Sequence, residues 1–379
     1  MPKVIKFGGS SLADGEKFLS AAAKARAENA DFVVVSAPGK RHPGEKKLTD
    51  LLSEAADNGP FSAKARCEAV LRLDGIAHRL PVDRSVVFRI EREIIYGNGR
   101  DFLLSRGEFF SAAVMSSLLG FEFADGGKAV RFGKNGEFDI KKSVLHAEKS
   151  LSGKKNAVIP GFYGRDASGK IKTLPRGGSD ITGAVVALAT GAEAYLNCTD
   201  VAGVMRASPA LVADAAAADR LCGCAMYGLS SAGAEVVHPE AVRALLGSGV
   251  PLIIKSTFGK QCGTLVSCAG CKSAAQCRAN GPREIALTMP ITADSGDCEE
   301  ISPVEAVSGK NGKAAVASPE MNRRTAAEII GWLARLRIKV VRPKIVGCGC
   351  LMFETERDFT ERAVVALYRR FAAKCGGAD

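Results

Sequence analysis

Lys3-Val4-Ile5-Lys6-Phe7-Gly8-Gly9-Ser10-Ser11 carries the reading of this chain. A short, mostly apolar run of strand character passes straight into two glycines and two serines, and a helical pattern follows over residues 16–28. Glycines let the backbone approach an anion closely, and backbone N–H groups ahead of a helix favour phosphate. Lys6, at the end of the run, adds a point charge. The same pattern also describes an ordinary tight strand–helix turn, so its meaning depends on what surrounds it.

Outward from this stretch, apolar strand-like runs alternate with helical patterns over roughly the first 265 residues. Strands are expected at residues 32–36, 121–124, 158–163, 170–174, 194–198, 252–255 and 264–267, with helices beginning near residues 48, 108, 180 and 239. Residues 61–92 read as mostly helical, interrupted at Pro81. This alternation predicts an α/β protein with an open, mainly parallel sheet sandwiched by helices. Ligands of such sheets sit beyond the carboxyl ends of the strands. A second glycine turn, Arg176-Gly177-Gly178-Ser179-Asp180, precedes another helix, and Arg176 offers a planar fork suited to a carboxylate or phosphate. Asp180 alone would read as a helix cap. Gly164 to Lys170 nearly fits the P-loop spacing, but Ile171 stands where Ser or Thr is required and a strand follows, so the hairpin reading prevails.

Residues 268–282, rich in small residues, Cys and Gly, read as a linker. Beyond them a βαββα alternation (314–317, 325–336, 338–341, 350–353, 359–371), with a further strand near 284–288, predicts a smaller ferredoxin-like α+β domain. The expected domains are thus 1–267 and 283–379. A chain of 379 residues fits two, since single cores stop growing near ~250–300 residues.

Composition narrows the class of function. The net charge of +11 arises from basic residues spread along the chain with only short pairs, which argues against a nucleic-acid partner and for anionic small ligands. Apolar runs fall short of the ~20 residues that span a bilayer, and the chain starts on a strand-like stretch, so no membrane partner and a cytoplasmic location are expected. Twelve cysteines in such a chain argue for reduced thiols. Cys268 and Cys271 have zinc-ligand spacing, with Cys262 and Cys277 nearby, but no second tight pair accompanies them, and ordinary thiols are the expectation.

In order and spacing these segments resemble the aspartokinases of the amino-acid kinase family. The resemblance rests on Lys6-Phe7-Gly8-Gly9-Ser10-Ser11, Val33-Val34-Val35-Ser36-Ala37, Leu48-Thr49-Asp50-Leu51 and Ser105-Arg106-Gly107-Glu108. It continues through Gly161-Phe162-Tyr163-Gly164, Arg176 to Asp180, Thr199-Asp200-Val201-Ala202-Gly203-Val204, Gly233 to Pro239 and Gly263-Thr264-Leu265-Val266. It implies ATP-dependent phosphorylation of the L-aspartate side-chain carboxylate, with Mg2+. Lys6 and Asp180 would then be catalytic, while Thr49, Glu108, Arg176 and Ser179 would bind aspartate. Gly8, Gly9, Ser10, Ser36, Thr199, Asp200 and Lys255 would hold the nucleotide. The tail resembles the family's ACT module, which implies a shortened regulatory region and a homodimer formed through it. The sequence also departs from the family: Met205 replaces the usual aromatic, and Ser208-Pro209-Ala210 replaces Asp-Pro-Arg. Both changes imply a weaker grip on the nucleotide. Two alternatives stay open, a non-catalytic ligand-binding or regulatory paralogue and a kinase for another amino-acid carboxylate.

Overall fold

A computed structural model describes residues 1–57, 59–259, 261–267, 284–286, 306–310, 312–318, 321–346 and 349–372. The chain forms two compact units, Met1–Asp200 with Lys255–Lys260, and Val201–Ile254 with Gln261–Asp379. The expected linker, and with it Cys268, Cys271 and Cys277, lies outside the described residues.

In the first unit the strands are β1 (Lys3–Phe7), β2 (Phe32–Val35), β3 (Glu122–Phe123), β4 (Ala157–Pro160), the hairpin β5 (Tyr163–Arg165) and β6 (Ile171–Thr173), and β7 (Ala194–Thr199). The helices are α1 (Gly15–Ala27), α2 (Leu48–Ala56), α3 (Ser62–Ala77), α4 (Arg84–Tyr96), α5 (Arg100–Leu119), α6 (Gly126–Ala129), α7 (Ile140–Leu151) and α8 (Gly178–Ala189). Five strands pair in the order β3-β4-β2-β1-β7, and every pairing is parallel. The central strands are apolar on both faces: Val4, Ile5 and Phe7 of β1 and Val33, Val34 and Val35 of β2 are fully buried. Helices therefore cover both sides, as a parallel sheet requires. Because the strands run parallel, their carboxyl ends (Phe7, Val35, Pro160 and Thr199) share one edge.

Two local departures from the sequence reading stand out in this unit. The run 158–163 breaks after Pro160, because Phe162 adopts a left-handed backbone (φ 72°) and donates its N–H to Thr182 Oγ1. The helix expected from residue 108 starts at Arg100, so Ser105 to Glu108 lies within it and is buried. That helix is long and apolar enough to cross a membrane by length and composition alone; most of it is buried inside the protein.

The second unit contains β8 (Arg220–Cys222), α9 (Gly223–Ser231), α10 (Pro239–Leu245), β9 (Leu252–Ser256, of which the first three residues belong here) and β10 (Thr264–Ser267). It continues with β11 (Glu284–Ala286), β12 (Ala306–Lys310), β13 (Lys313–Ala317), α11 (Arg323–Arg335), β14 (Val341–Val346), β15 (Cys350–Glu354) and α12 (Arg357–Leu367). A five-stranded antiparallel sheet has the order β11-β14-β15-β13-β12. The strand expected at 338–341 is shifted to Val341–Val346, where an irregular register between Val341 and Lys344 accommodates Pro343. Ala314, Val316, Leu351 and Phe353 face α11 and α12 across a core that holds Ile329, Leu333, Val364 and Leu367. The opposite face is covered by α9, where Gly228 lies so close to Cys350 that an added Cβ would be 2.3 Å from its sulfur.

Candidate active site

Lys6 is the last but one residue of β1, and its Cα partner across the sheet is Asn197 of β7. Aligned residues of parallel neighbours point to the same face, so the two side chains meet: Lys6 Nζ donates to Asn197 Oδ1 at 3.4 Å. Asp180, in the first turn of α8, completes the group. Its Oδ1 lies 2.7 Å from Lys6 Nζ and accepts from Asn197 Nδ2 at 3.1 Å. Asp180 does not cap its helix: the cap position is Gly177, in a left-handed conformation (φ 85°) that leaves the carboxylate free to turn toward the sheet. All three side chains are buried, so the pair is only weakly screened by solvent.

Beside this group the glycine turn is braced by backbone. Gly8 N donates to Cys198 O at 3.1 Å, Ser36 N to Phe7 O at 3.1 Å, and Gly39 N to Gly9 O at 2.7 Å. A Cβ on Gly9 would stand 2.8 Å from Ala37 O, so only glycine allows this approach. Ser10 lies half-buried in the 3-10 turn Gly9–Leu12, while Ser11 bonds Thr257 Oγ1 at 2.6 Å. Burial pushes the neighbouring Cys198 thiol up to about 12, which leaves it protonated and unreactive.

Glu108 is a buried carboxyl group within α5. It is 3% exposed, and burial raises its pKa to about 8 against the opposing hydrogen bonds from the backbone of Ala37 and of Glu108 itself. Its Oε2 has no hydrogen-bond partner. An orphaned buried carboxylate oxygen is costly unless a ligand completes it. The preceding Arg106 is structural: it is held by Glu93 and lies between the rings of Phe102 and Phe109, 4.4 and 4.5 Å from their centroids.

Lys6, Gly8, Gly9, Ser10, Ser36, Glu108, Ser179 and Asp180 thus stand at or near the strand-end edge. Ser179 is buried against Gly161, whose Cβ position lies 2.6 Å from the serine Oγ. Thr49 is half-buried in the first turn of α2. Arg176 is exposed and makes no ion pair among the described residues. Thr199 Oγ1 donates to Asp200 Oδ1 at 3.0 Å, with Asp200 exposed. Lys255 pairs with Glu28 at 2.7 Å, and Glu28 also takes Lys24 at 3.1 Å. Burial alone would raise the Glu28 pKa, but the hydrogen bonds from Lys255 and Lys24 outweigh it and hold it below the ordinary value. Asn197 escaped the sequence reading, although a lone amide inside the apolar run Ala194–Thr199 was a usable signal. Among the described residues no cluster of three or more His, Cys, Asp or Glu could hold a metal.

One edge of the parallel sheet thus gathers a lysine, a glycine turn and a buried carboxyl group. The model of the amino acid kinase family matches residues 1–256, and the chain belongs to that family. It is 32% identical to aspartokinase 3 of Bacillus subtilis over 278 residues, covering 67% of this chain and 61% of the relative. Aspartokinase 1 of the same organism is 33% identical over 176 residues, 44% of each chain. The chain therefore spans about half to three fifths of the length of these relatives. In fold it resembles the aspartate kinase of Clostridium acetobutylicum, with a TM-score of 0.71 at 24% identity over 97% of this chain and 99% of that one. It also resembles E. coli aspartokinase III in complex with aspartate and ADP, with a TM-score of 0.64 at 23% identity over 94% and 79% of the two chains.

Proposed function

We propose that this protein transfers the γ-phosphoryl group of ATP to the side-chain carboxylate of L-aspartate, giving 4-phospho-L-aspartate and ADP. The observation that carries the reading is that one sheet edge holds both Lys6, at the end of β1 ahead of the glycine turn, and Glu108, a buried carboxyl with one unsatisfied oxygen. The first suits a phosphate and the second an ammonium group. The names of the relatives support the choice of aspartate.

In this reading an aspartate carboxylate oxygen forms a bond to the γ-phosphorus while the bond to the β,γ-bridging oxygen breaks. No base is needed, because the attacking carboxylate is already ionised near neutral pH. The burden is to bring anions together and to stabilise the charge of the transferring group. Lys6, steered by Asp180 and Asn197, supplies charge, and the amides of the Gly8–Ser10 turn and Ser36 support the phosphates. Glu108 receives the α-ammonium, Arg176 the α-carboxylate, and Thr49 and Ser179 line the same subsite. Thr199, Asp200 and Lys255 serve the nucleotide. Magnesium commonly binds through one or two carboxylates plus the phosphates themselves, so the lack of a carboxylate cage among the described residues fits its arriving with ATP.

The same reading makes the protein a cytoplasmic enzyme of aspartate-family amino-acid biosynthesis, with residues 1–267 catalytic and 283–379 an ACT-like domain for regulation and homodimer formation. Since α9 and the helices α11 and α12 cover both faces of the module's sheet, pairing would use its edges. The departures at Met205, Ser208 and Ala210 favour one alternative, a ligand-binding paralogue without turnover. Trapping acyl phosphate with hydroxylamine, over a panel of carboxylates, separates the two. Aspartyl hydroxamate should form with ATP, and Lys6→Ala should lower its rate ~10²–10³-fold, the usual cost of one transition-state charge contact. Wild-type rates in Lys6→Ala would remove Lys6 from the mechanism, and no hydroxamate from any carboxylate would favour the paralogue.

A further inference from the structure

The segment between β2 and α2 touches both halves of the proposed site. Its Ala37 packs against Gly107, the residue before Glu108, and its Gly39 N–H donates to Gly9 O at 2.7 Å. Packing there leaves no slack. A Cβ on Gly39 would lie 2.4 Å from the Gly9 carbonyl carbon and oxygen, and one on Gly107 would lie 2.7 Å from Ala37 Cβ. Three backbones meet at van der Waals contact, so a shift in residues 37–39 moves the phosphate turn and the Glu108 helix together.

The far end of this segment is pinned by one side chain. Arg72, on the buried face of α3, is 4% exposed. Its Nη1 donates to Lys46 O at 2.7 Å, its Nη2 donates to Gly39 O, and the same Nη2 lies 3.1 Å from Glu45 Oε2. Glu45 in turn accepts from Arg41 N at 2.7 Å. A single guanidinium thus fastens the segment at residue 39, beside Gly9, and again at residues 45 and 46. Arg72 Nε is buried without a partner, so the side chain accepts a desolvation cost to stay there. Burial lowers the Arg72 pKa from its ordinary value and Arg41 adds to this, while Glu45 opposes it.

We infer that Arg72 is a positioning residue for the reaction: through Gly39 and Ala37 it sets the geometry of the Gly8–Gly9 turn and of Glu108 without touching a substrate. The chemical role rests on the function proposed above; the mechanical role does not, and the test separates them. Amide hydrogen exchange is followed in the full chain for wild type, Arg72→Met, Arg72→Lys and Gly39→Ala, alongside ADP binding by calorimetry and kcat and KM for aspartate. Gly39→Ala leaves Arg72 intact but forces the segment off Gly9, so it keeps the test open should Arg72→Met fail to fold.

The expected result is faster exchange at residues 8–12 and 36–47 in Arg72→Met and Gly39→Ala. ADP affinity should weaken, and kcat/KM should fall about 10²-fold, as misplacement near 1 Å typically costs. Arg72→Lys, which can reach one carbonyl but not the full set, should recover part of both. Unchanged exchange at residues 8–12 in a folded Arg72→Met or Gly39→Ala protein would overturn the proposal. So would a loss of kcat/KM that Arg72→Lys does not relieve. Altered exchange in a chain that shows no turnover with aspartate would uphold the clamp and reject the substrate.

Discussion

Glu108 shows how far single residues can be read from sequence. Its place in Ser105-Arg106-Gly107-Glu108 marked it as a ligand residue, but its burial and its unsatisfied oxygen appear only when α5 is seen to run through the core. The pKa near 8 has a testable sign. A carboxyl raised above its unfolded value near 4.5 stays protonated in the folded state where the unfolded chain has already lost its proton. Its stabilising contribution is present in full below pH 4.5, declines as pH rises, and is gone above about 8. Glu108→Gln keeps the neutral shape and removes this titration. The stability of wild type relative to Glu108→Gln, from urea midpoints between pH 4.5 and 9, should therefore fall with rising pH; parallel profiles would show that Glu108 does not titrate in this window. Lys6 and the glycine turn were legible because strand, turn and helix are contiguous. Asn197 and Arg72 were not, since Asn197 meets Lys6 across 191 positions and Arg72 meets Gly39 across 33.

Elements were legible where the hydrophobic period is strong and obscured where glycine or proline sits inside them. Gly107 reads as a break before a helix, yet it lies mid-helix because a side chain there would collide with Ala37. Pro343 is of a type disfavoured inside a strand, and the bulge in β14 absorbs it. Gly183 within α8 belongs to the same class. A Cβ there would come 2.4 Å from the hydroxyl of Tyr195 and 2.6 Å from its Cζ, and that ring is fully buried. Alanine should gain ~1 kcal/mol from helix propensity but cost ~1–3 kcal/mol by overpacking a rigid ring. Tyr195 also donates to Asp180 O at 3.3 Å, so the displacement reaches the carboxylate that holds Lys6. Gly183→Ala should therefore be less stable in urea unfolding and less active as well. A more stable, fully active variant would mean that α8 can lift from β7 without consequence.

At the scale of the molecule, the small α+β sheet was legible from the second βαββα alternation, but the loop that packs into its core was not. The family match runs to residue 256, whereas residues 201–254 form one compact unit with the C-terminal module. The contacts explain it. Ala207, Val212 and Ala215 are buried in the module's own core with Val307 and Leu367, and Val307 N donates to Arg206 O at 2.8 Å. Helix α9 lies on the other face of the module's sheet. None of this has a periodic signature, because residues 201–219 are a loop whose apolar positions find partners about a hundred positions later. A chain ending after Ser267 would strip the cover from this segment, and burying one valine is worth ~1.5–3 kcal/mol before the rest is counted. Such a chain should keep the parallel sheet of the first unit but expose residues 201–222 to protease. Trypsin should cut after Arg206 and Arg220 in the shortened chain while the full chain resists at Arg206, whose backbone is paired with Val307. Equal resistance at Arg206 in both chains would show that the segment is held by residues 1–267 alone, and that the module is a separable addition.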